Sequence, residues 1–454
     1  MMLIKQFFLK TSIRLFLAFQ LCIINSHLHA QNVVPNKDQI EWANAEIGAI
    51  FHLDVVNYVP DYDWRKWGTH PPATVFNPSK LNTDQWVLSA KAAGAKYAVL
   101  VAKHCSGFSL WPTKAHDYSV KNSPWKNGDG DVVKDFIASC EKYGIKPGIY
   151  ASASANGYLY ADNPGKVVAG SPYTQAYYNN VVETQLKELW SNYGKLFEIW
   201  FDGGVMPHEN GGPDIVPLLK KLQPDAIVFQ GPVQAKNLIR WIGNEEGFAP
   251  YPNWSRADST SSATGTIKIN DMSGNADGEI WCPGEADFPL RLGWQGGWFW
   301  KENQKMLSLE QLLKNYEMTV GRNANMLIGI VVDTSGLVPQ EDLSRLTEFG
   351  QAVKSHYSTP LTKVSSKELS KSVSLKKKMT INRIVIEEDI RQGECIREYV
   401  LETQVNNKWI KIAEGSSVGH KRIQSFNPIQ VDNIRVRITK ASGRVSFNFS
   451  LFNI

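Results

Sequence analysis

Between about residues 45 and 355 the chain alternates two textures. Short, almost wholly apolar runs fall at 47–53, 97–103, 146–151, 196–201, 226–230, 239–243, 279–282 and 325–332. Near-continuous apolar character is what a strand buried on both faces requires. Between many of them the apolar residues recur every three or four positions, as on the inner face of a helix. Residues 83–93 align Trp86, Val87, Ala90 and Ala93 and stop at Gly94. Residues 131–143 align Val132, Val133, Phe136, Ile137 and Cys140 and stop at Gly144. A third helix covers 177–193, ending at Gly194, and Ser308 with Gln311 forms a capping box that opens a fourth over 309–320. Eight strands with right-handed helical crossovers predict an α/β fold, a (β/α)8-like barrel. Only about eight residues separate the fifth and sixth strands, so one helix is expected to be missing.

After a last helix at 339–357 the pattern changes. A Lys- and Ser-rich stretch at 365–378 gives way to short alternating segments at 381–387, 398–404, 409–414, 434–439 and 445–449. Period-two alternation without helical spacing predicts a C-terminal antiparallel β-sandwich over 358–454, following a catalytic barrel over 31–357. The sandwich carries no catalytic constellation. Structural support of the barrel is its simpler role, ahead of independent carbohydrate binding.

The first thirty residues stand apart. Lys5, Lys10 and Arg14 surround or precede an apolar run at 15–24, and Leu28-His29-Ala30 ends on a small residue. This reads as a bacterial-type signal peptide spanning 1–30, so the mature chain is expected to be exported, to the periplasm or beyond. No later stretch is long and apolar enough to suggest a transmembrane segment. Removing the leader reduces the formal charge from +5 to +2, which leaves no footprint for nucleic acid. Cys105, Cys140, Cys282 and Cys395 remain, without paired spacing, so neither a metal site nor a disulfide framework is indicated. Fifteen tryptophans and sixteen tyrosines suit a cleft that stacks on sugar faces, although a large core also uses them.

The candidate chemistry sits where the strands end. Glu198-Ile-Trp-Phe-Asp-Gly-Gly204 runs an aromatic strand into a carboxylate and two glycines, which delivers Asp202 to the carboxyl end of a barrel strand. The same ends carry His52 and Asp54, His104 and Cys105, Tyr150, Trp200, and then Glu245 and Glu246 after Trp241. Glu285 follows the seventh predicted strand. Each alone could be a capping or core residue; their convergence on one face is harder to explain that way. Two carboxylates flanking an aromatic pocket are what glycoside hydrolysis needs, one to attack the anomeric carbon and one to shuttle the leaving group's proton. Asp202 suits the first role. Glu245 suits the second, because Trp241 and Phe248 could desolvate it; Glu246 and Glu285 are its rivals. Glu198 shares the parity of Asp202 but lies ~13 Å deeper at ~3.3 Å per residue, at the pocket floor or in the core.

Several ordered motifs resemble the α-L-fucosidases of glycoside hydrolase family 29. They include Arg65-Lys-Trp67-Gly, Gln85-Trp-Val-Leu-Ser-Ala-Lys-Ala-Ala-Gly94, Ala102-Lys-His-Cys-Ser-Gly-Phe108, Trp200-Phe-Asp-Gly203, Arg240-Trp-Ile-Gly-Asn-Glu245 and Val320-Gly-Arg-Asn323. The resemblance covers the barrel in order and is strongest to the branch that prefers α1,3- and α1,4-linked fucose on branched glycans. It implies a retaining exo-hydrolase of fucosylated glycans that needs no cofactor, with Asp202 as nucleophile and Glu245 as general acid/base. It also implies sugar-binding roles for His52, His104, Trp200, Tyr150 and Trp67, and a role for Arg240 near Glu245. Three departures surround the expected sugar. Cys105-Ser106 replaces a second histidine and an aspartate, Leu53-Asp54 replaces an aromatic-glycine pair, and Ala151-Ser-Ala-Ser-Ala155 replaces a Ser-Pro-Trp segment. Two alternatives therefore stand at this point: a carbohydrate-binding protein with a degenerate site, and a barrel glycosidase of altered sugar specificity, L-galactose being one variant.

Overall fold

The computed structural model describes residues 33–258 and 272–454; the leader expected at 1–30 lies outside them. Eight parallel strands close into a barrel: β1 Ile47–His52, β2 Tyr97–Lys103, β3 Lys146–Ala151, β4 Glu198–Trp200, β5 Ile227–Phe229, β6 Leu238–Trp241, β7 Gly284–Pro289 and β8 Ala324–Val331. They neighbour one another in chain order. β1 shuts the ring against β8, from Ile47 opposite Met326 to His52 opposite Val331.

The helices are α1 Lys37–Ala45, α2 Thr83–Ala92, α3 Val132–Tyr143, α4 Gln175–Ser191, α5 Val216–Leu222, α6 Leu309–Thr319 and α7 Gln340–Tyr357. Their ends follow local chemistry. The Asp131 side chain accepts from Lys134 N to start α3, and Gly144 at φ 69° stops it in the left-handed conformation. Ser308 and Gln311 cap α6 reciprocally. β5 passes to β6 without a helix, as the short spacing predicts.

Strand alternation divides the apolar residues between two cores. Ile50, Tyr97, Val99, Trp200, Phe229 and Leu327 fill the barrel interior, joined by Trp42 of α1. Phe51, Trp86, Phe136, Leu186, Ile328 and Phe349 pack between barrel and helices. Each barrel strand is thus buried on both faces, which is why most of them read as unbroken apolar runs.

The exception corrects the sequence reading. The run at 279–282 is not the seventh barrel strand: its Ile280–Trp281 pairs antiparallel with Arg256–Ala257, outside the barrel. The true β7 begins at Gly284 and alternates differently. Phe288 joins the core under the helices, whereas Glu285 bonds to Tyr97 and Trp200 in the barrel interior. Two inward carboxylates, Glu285 and Asp287, break the apolar signal that the other strands display.

The C-terminal part is a six-stranded antiparallel sheet, in the order β9-β14-β10-β13-β11-β12. Its strands are β9 Thr362–Ser366, β10 Ser370–Glu388, β11 Ile396–Val405, β12 Lys408–Gly415, β13 Arg422–Ala441 and β14 Phe447–Phe452. The register of β10 against β13 shifts between Ser374 and Met379 and between Ile381 and Arg383. Such bulges bend long strands and let one sheet fold across its own core of Ile384, Leu401, Val436, Phe449 and Leu451. This sandwich meets the barrel where the strands begin. Lys421 pairs with Glu46, just before β1. Glu394 accepts from Ser255 N at 2.9 Å and from Asn323, just before β8. The carboxyl ends of the strands face the other way.

Candidate active site

Asp202 follows β4 by two residues. Gly203 and Gly204 then adopt φ of 65° and 82°, turning the chain sharply away in a conformation that a side chain would strain. The backbone there is pinned. Gly203 N donates to Gln230 Oε1 at 3.0 Å, and Ser154 Oγ donates to the Asp202 carbonyl. The Tyr150 hydroxyl donates to Asp202 Oδ2 at 2.9 Å. Burial pushes the Asp202 carboxyl above its ordinary pKa, while the Tyr150 bond favours the ionised form and opposes that shift.

The carboxylate faces a small pocket at the strands' carboxyl ends, with a cavity volume of about 70 Å³, lined by His52, His104, Tyr150, Trp200, Glu245 and Trp298 among others. Trp200 forms its apolar wall, stacked between Phe229 at 3.9 Å and Tyr150 at 5.2 Å between ring centroids. Burial, and then His104, holds His52 well below its ordinary pKa; burial, and then Lys103, brings His104 down to about 4. Both imidazoles are therefore neutral near pH 7, and each offers one donor and one acceptor, the pair of functions that a sugar hydroxyl also carries. The Trp298 ring lies 5.1 Å from that of His52.

The structure brings together Asp202, Glu245, His52, His104, Trp200 and Tyr150 as the sequence predicts, and adds two residues that it did not signal. Asp287, near the end of β7, lines the pocket at 4% exposure and accepts from Trp241 Nε1 at 2.6 Å. Burial first, with the charges of Glu245 and Glu285 assisting, raises its pKa well above the carboxylate range. Trp298 comes from the loop after β7. Reading β7 in its true register would have placed Asp287 at a strand end; Trp298 has no comparable signal.

Other candidates stand elsewhere. Glu245 lines the pocket but is exposed, and Trp241 turns its indole to Asp287 instead of covering it. Glu246 is exposed and does not line the pocket; its carbonyl accepts from Asn315. Glu285 is no strand-end acid. It is fully buried beneath Trp200, whose Nε1 donates to it at 3.0 Å, and beside Glu198. Burial raises the pKa of both carboxyls, so this pair belongs to the barrel core. Arg240 spends its guanidinium on Asn253, on the carbonyls of Trp254 and Met272, and on that of Cys282, away from Glu245. Trp67 stacks on Tyr160 in a loop cluster outside the pocket lining. Asp54 is buried, caps the short turn after β1 through Val56 N, and accepts from Ser106 Oγ at 2.7 Å. Cys105 sits with its Sγ 4.0 Å from both Ser152 Oγ and Asp202 Oδ2 without lining the pocket. The departures at 53, 54 and 105 thus lie behind the lining.

Among the described residues one group of donors could hold a metal ion. The ligand atoms of His104, Cys105 and Asp202 lie within 4.8 Å of one another.

A sequence model described as alpha-L-fucosidase matches residues 25–357. Alpha-L-fucosidase 1 of Arabidopsis thaliana is 30% identical over 451 residues, covering 90% of this chain and 85% of that protein. A crystal structure of a Bacteroides thetaiotaomicron VPI-5482 protein superimposes with a TM-score of 0.87 at 35% identity, covering 93% of this chain and 100% of that one. A glycoside hydrolase 29 family member from an unknown rumen bacterium gives 0.79 at 27% identity, covering 93% and 77%.

Proposed function

The chain belongs to the alpha-L-fucosidase family of glycoside hydrolases, and from that membership we propose that it is an exported, retaining exo-enzyme releasing terminal α-L-fucose from glycans. The observation that carries the reading is the meeting of Asp202 and Glu245 in one pocket with His52, His104, Tyr150, Trp200 and Trp298.

In the first step Asp202 attacks the anomeric carbon while Glu245 protonates the departing glycosidic oxygen. A covalent fucosyl-enzyme results. In the second, Glu245 takes a proton from water, which attacks the same carbon and frees Asp202. Tyr150 engages Oδ2 of Asp202, which leaves the other oxygen for attack and stabilises the charge that the carboxylate carries before the bond forms and regains as it breaks. The neutral histidines bind the sugar's hydroxyls, and Trp200 supports its apolar face.

Asp202→Ala should abolish turnover of an aryl α-L-fucoside, and azide should restore part of it through a fucosyl azide of inverted anomeric configuration. Ordinary activity in that variant would remove Asp202 from the nucleophile's role. Glu245→Gln should cost ~10²–10⁴-fold on substrates with poor leaving groups. The resemblance of the ordered barrel motifs also supports a preference for α1,3- and α1,4-linked fucose; faster release from α1,2- or α1,6-linked isomers would overturn it. Cell fractionation with an intact leader tests export: activity retained in the cytoplasm contradicts it.

A further inference from the structure

We propose that His104, Cys105 and Asp202 form a binding site for a thiophilic divalent cation, of the zinc or cadmium type, and that the ion inhibits the enzyme by occupying its nucleophile. The three residues follow two barrel strands: His104 and Cys105 come directly after β2, and Asp202 comes two residues after β4. Their donor atoms are an imidazole nitrogen, a sulfur and a carboxylate oxygen, all within 4.8 Å of one another. Three protein ligands of these types, with a fourth position open, match the donor set of open zinc sites. The sulfur biases the set toward zinc, cadmium and other soft ions over magnesium or calcium.

The geometry requires a contraction. Tetrahedral bonds of ~2.0–2.3 Å place donors roughly 3.3–3.7 Å apart, whereas the three donors spread over as much as 4.8 Å, with Cys105 Sγ and Asp202 Oδ2 at 4.0 Å. Binding requires the side chains to rotate toward one another, and the larger cadmium ion needs less of that rotation. His104 and Asp202 both line the pocket. His52 lines it too, its Nδ1 buried without a partner and its ring 6.1 Å from that of His104.

Coordination through Cys105 breaks its S–H bond, forms a sulfur–metal bond and releases the proton to solvent. Because Asp202 is itself one of the three ligands, an ion held there occupies the proposed nucleophile, and the site is inhibitory. It exists because position 105 holds a thiol beside the nucleophile.

The test uses the mature full-length protein stripped with a chelator, titrated separately with zinc and cadmium. Calorimetry should show one tight ion per chain. Cadmium should also produce the near-ultraviolet thiolate-to-metal charge-transfer band, a readout that does not depend on activity. Cys105→Ser should lose the band and weaken binding by at least ~100-fold, since even outer-sphere changes cost 10–100-fold. Cys395→Ser, in the sandwich, should keep both. Asp202→Asn should retain the band at reduced affinity, which keeps the proposal falsifiable should Cys105→Ser misfold. Inhibition of aryl fucoside hydrolysis should be competitive and reversed by chelator. Equal binding by wild type and Cys105→Ser, or a band abolished by Cys395→Ser, would overturn the site. The competitive arm rests on the proposed activity, whereas the binding arms do not, so failure of either reading is separately visible.

Discussion

At the scale of single residues, burial decides the chemistry more than residue type does. Asp54 shows this. It accepts from Ser106 and from the backbone of Val56, yet burial wins and raises its pKa to about 7. The unfolded carboxyl ionises near its ordinary 3.8, so between those values the unfolded chain holds fewer protons than the folded one. Asp54 thus contributes stability that is complete below about 3.8 and is lost as pH rises through about 7, on the order of 4 kcal/mol. Asp54→Asn should remove this component: the stability difference between wild type and variant in urea should change by that order from acidic to mildly alkaline pH. A difference independent of pH would refute it. The same contrast shows what the sequence displayed of the site. Asp202, Glu245, His52, His104, Tyr150 and Trp200 were legible because each follows or ends an apolar run. Whether a strand-end side chain lines the pocket or turns behind it was not, which is why Asp54, Cys105 and Arg240 were grouped with them. Their partners, Ser106, Ser152 and the carbonyls of distant loops, are fixed only by the assembled barrel.

Among the elements, β7 and β8 show how the pocket wall is held. Gly329 of β8 leaves room for Trp298: a Cβ there would lie 2.4 Å from Cζ3 of the indole. Gly329→Ala should push Trp298 from its place beside His52. A displacement of about an ångström lowers kcat/KM by up to ~100-fold, and overpacking should cost about 1–3 kcal/mol of stability. Unchanged kcat/KM in a folded variant would show that β8 does not set this wall. β1, β2, β3 and β8 were placed from the sequence within a residue or so, since both their faces are apolar. β7 was set too early, because its inward positions hold Glu285 and Asp287 and the nearby run at 279–282 imitated a strand. Short β5, followed at once by β6, was visible as missing length where a helix belonged.

For the whole molecule, the sandwich stands at the end of the barrel opposite the chemistry. Glu394 is buried between them, and its bonds to Ser255 and Asn323 tie the sandwich to segments leading into the barrel strands. Glu394→Ala would leave buried donors without acceptors, at about 1–3 kcal/mol each. The variant should melt earlier while kcat of the folded enzyme is unchanged; a fall in kcat with the melting temperature intact would indicate that the sandwich acts on the site. The closing pair of the barrel has a different consequence. Ile47 meets Met326 across about 280 residues of intervening chain, a contact that a growing polypeptide cannot make until β8 has been synthesised. Until then β1 and β7 present open edges, each able to take up a strand from another molecule. A chain terminated before residue 324 should therefore yield aggregates, not a smaller hydrolase, and the last strand to arrive determines whether any molecule becomes a catalyst.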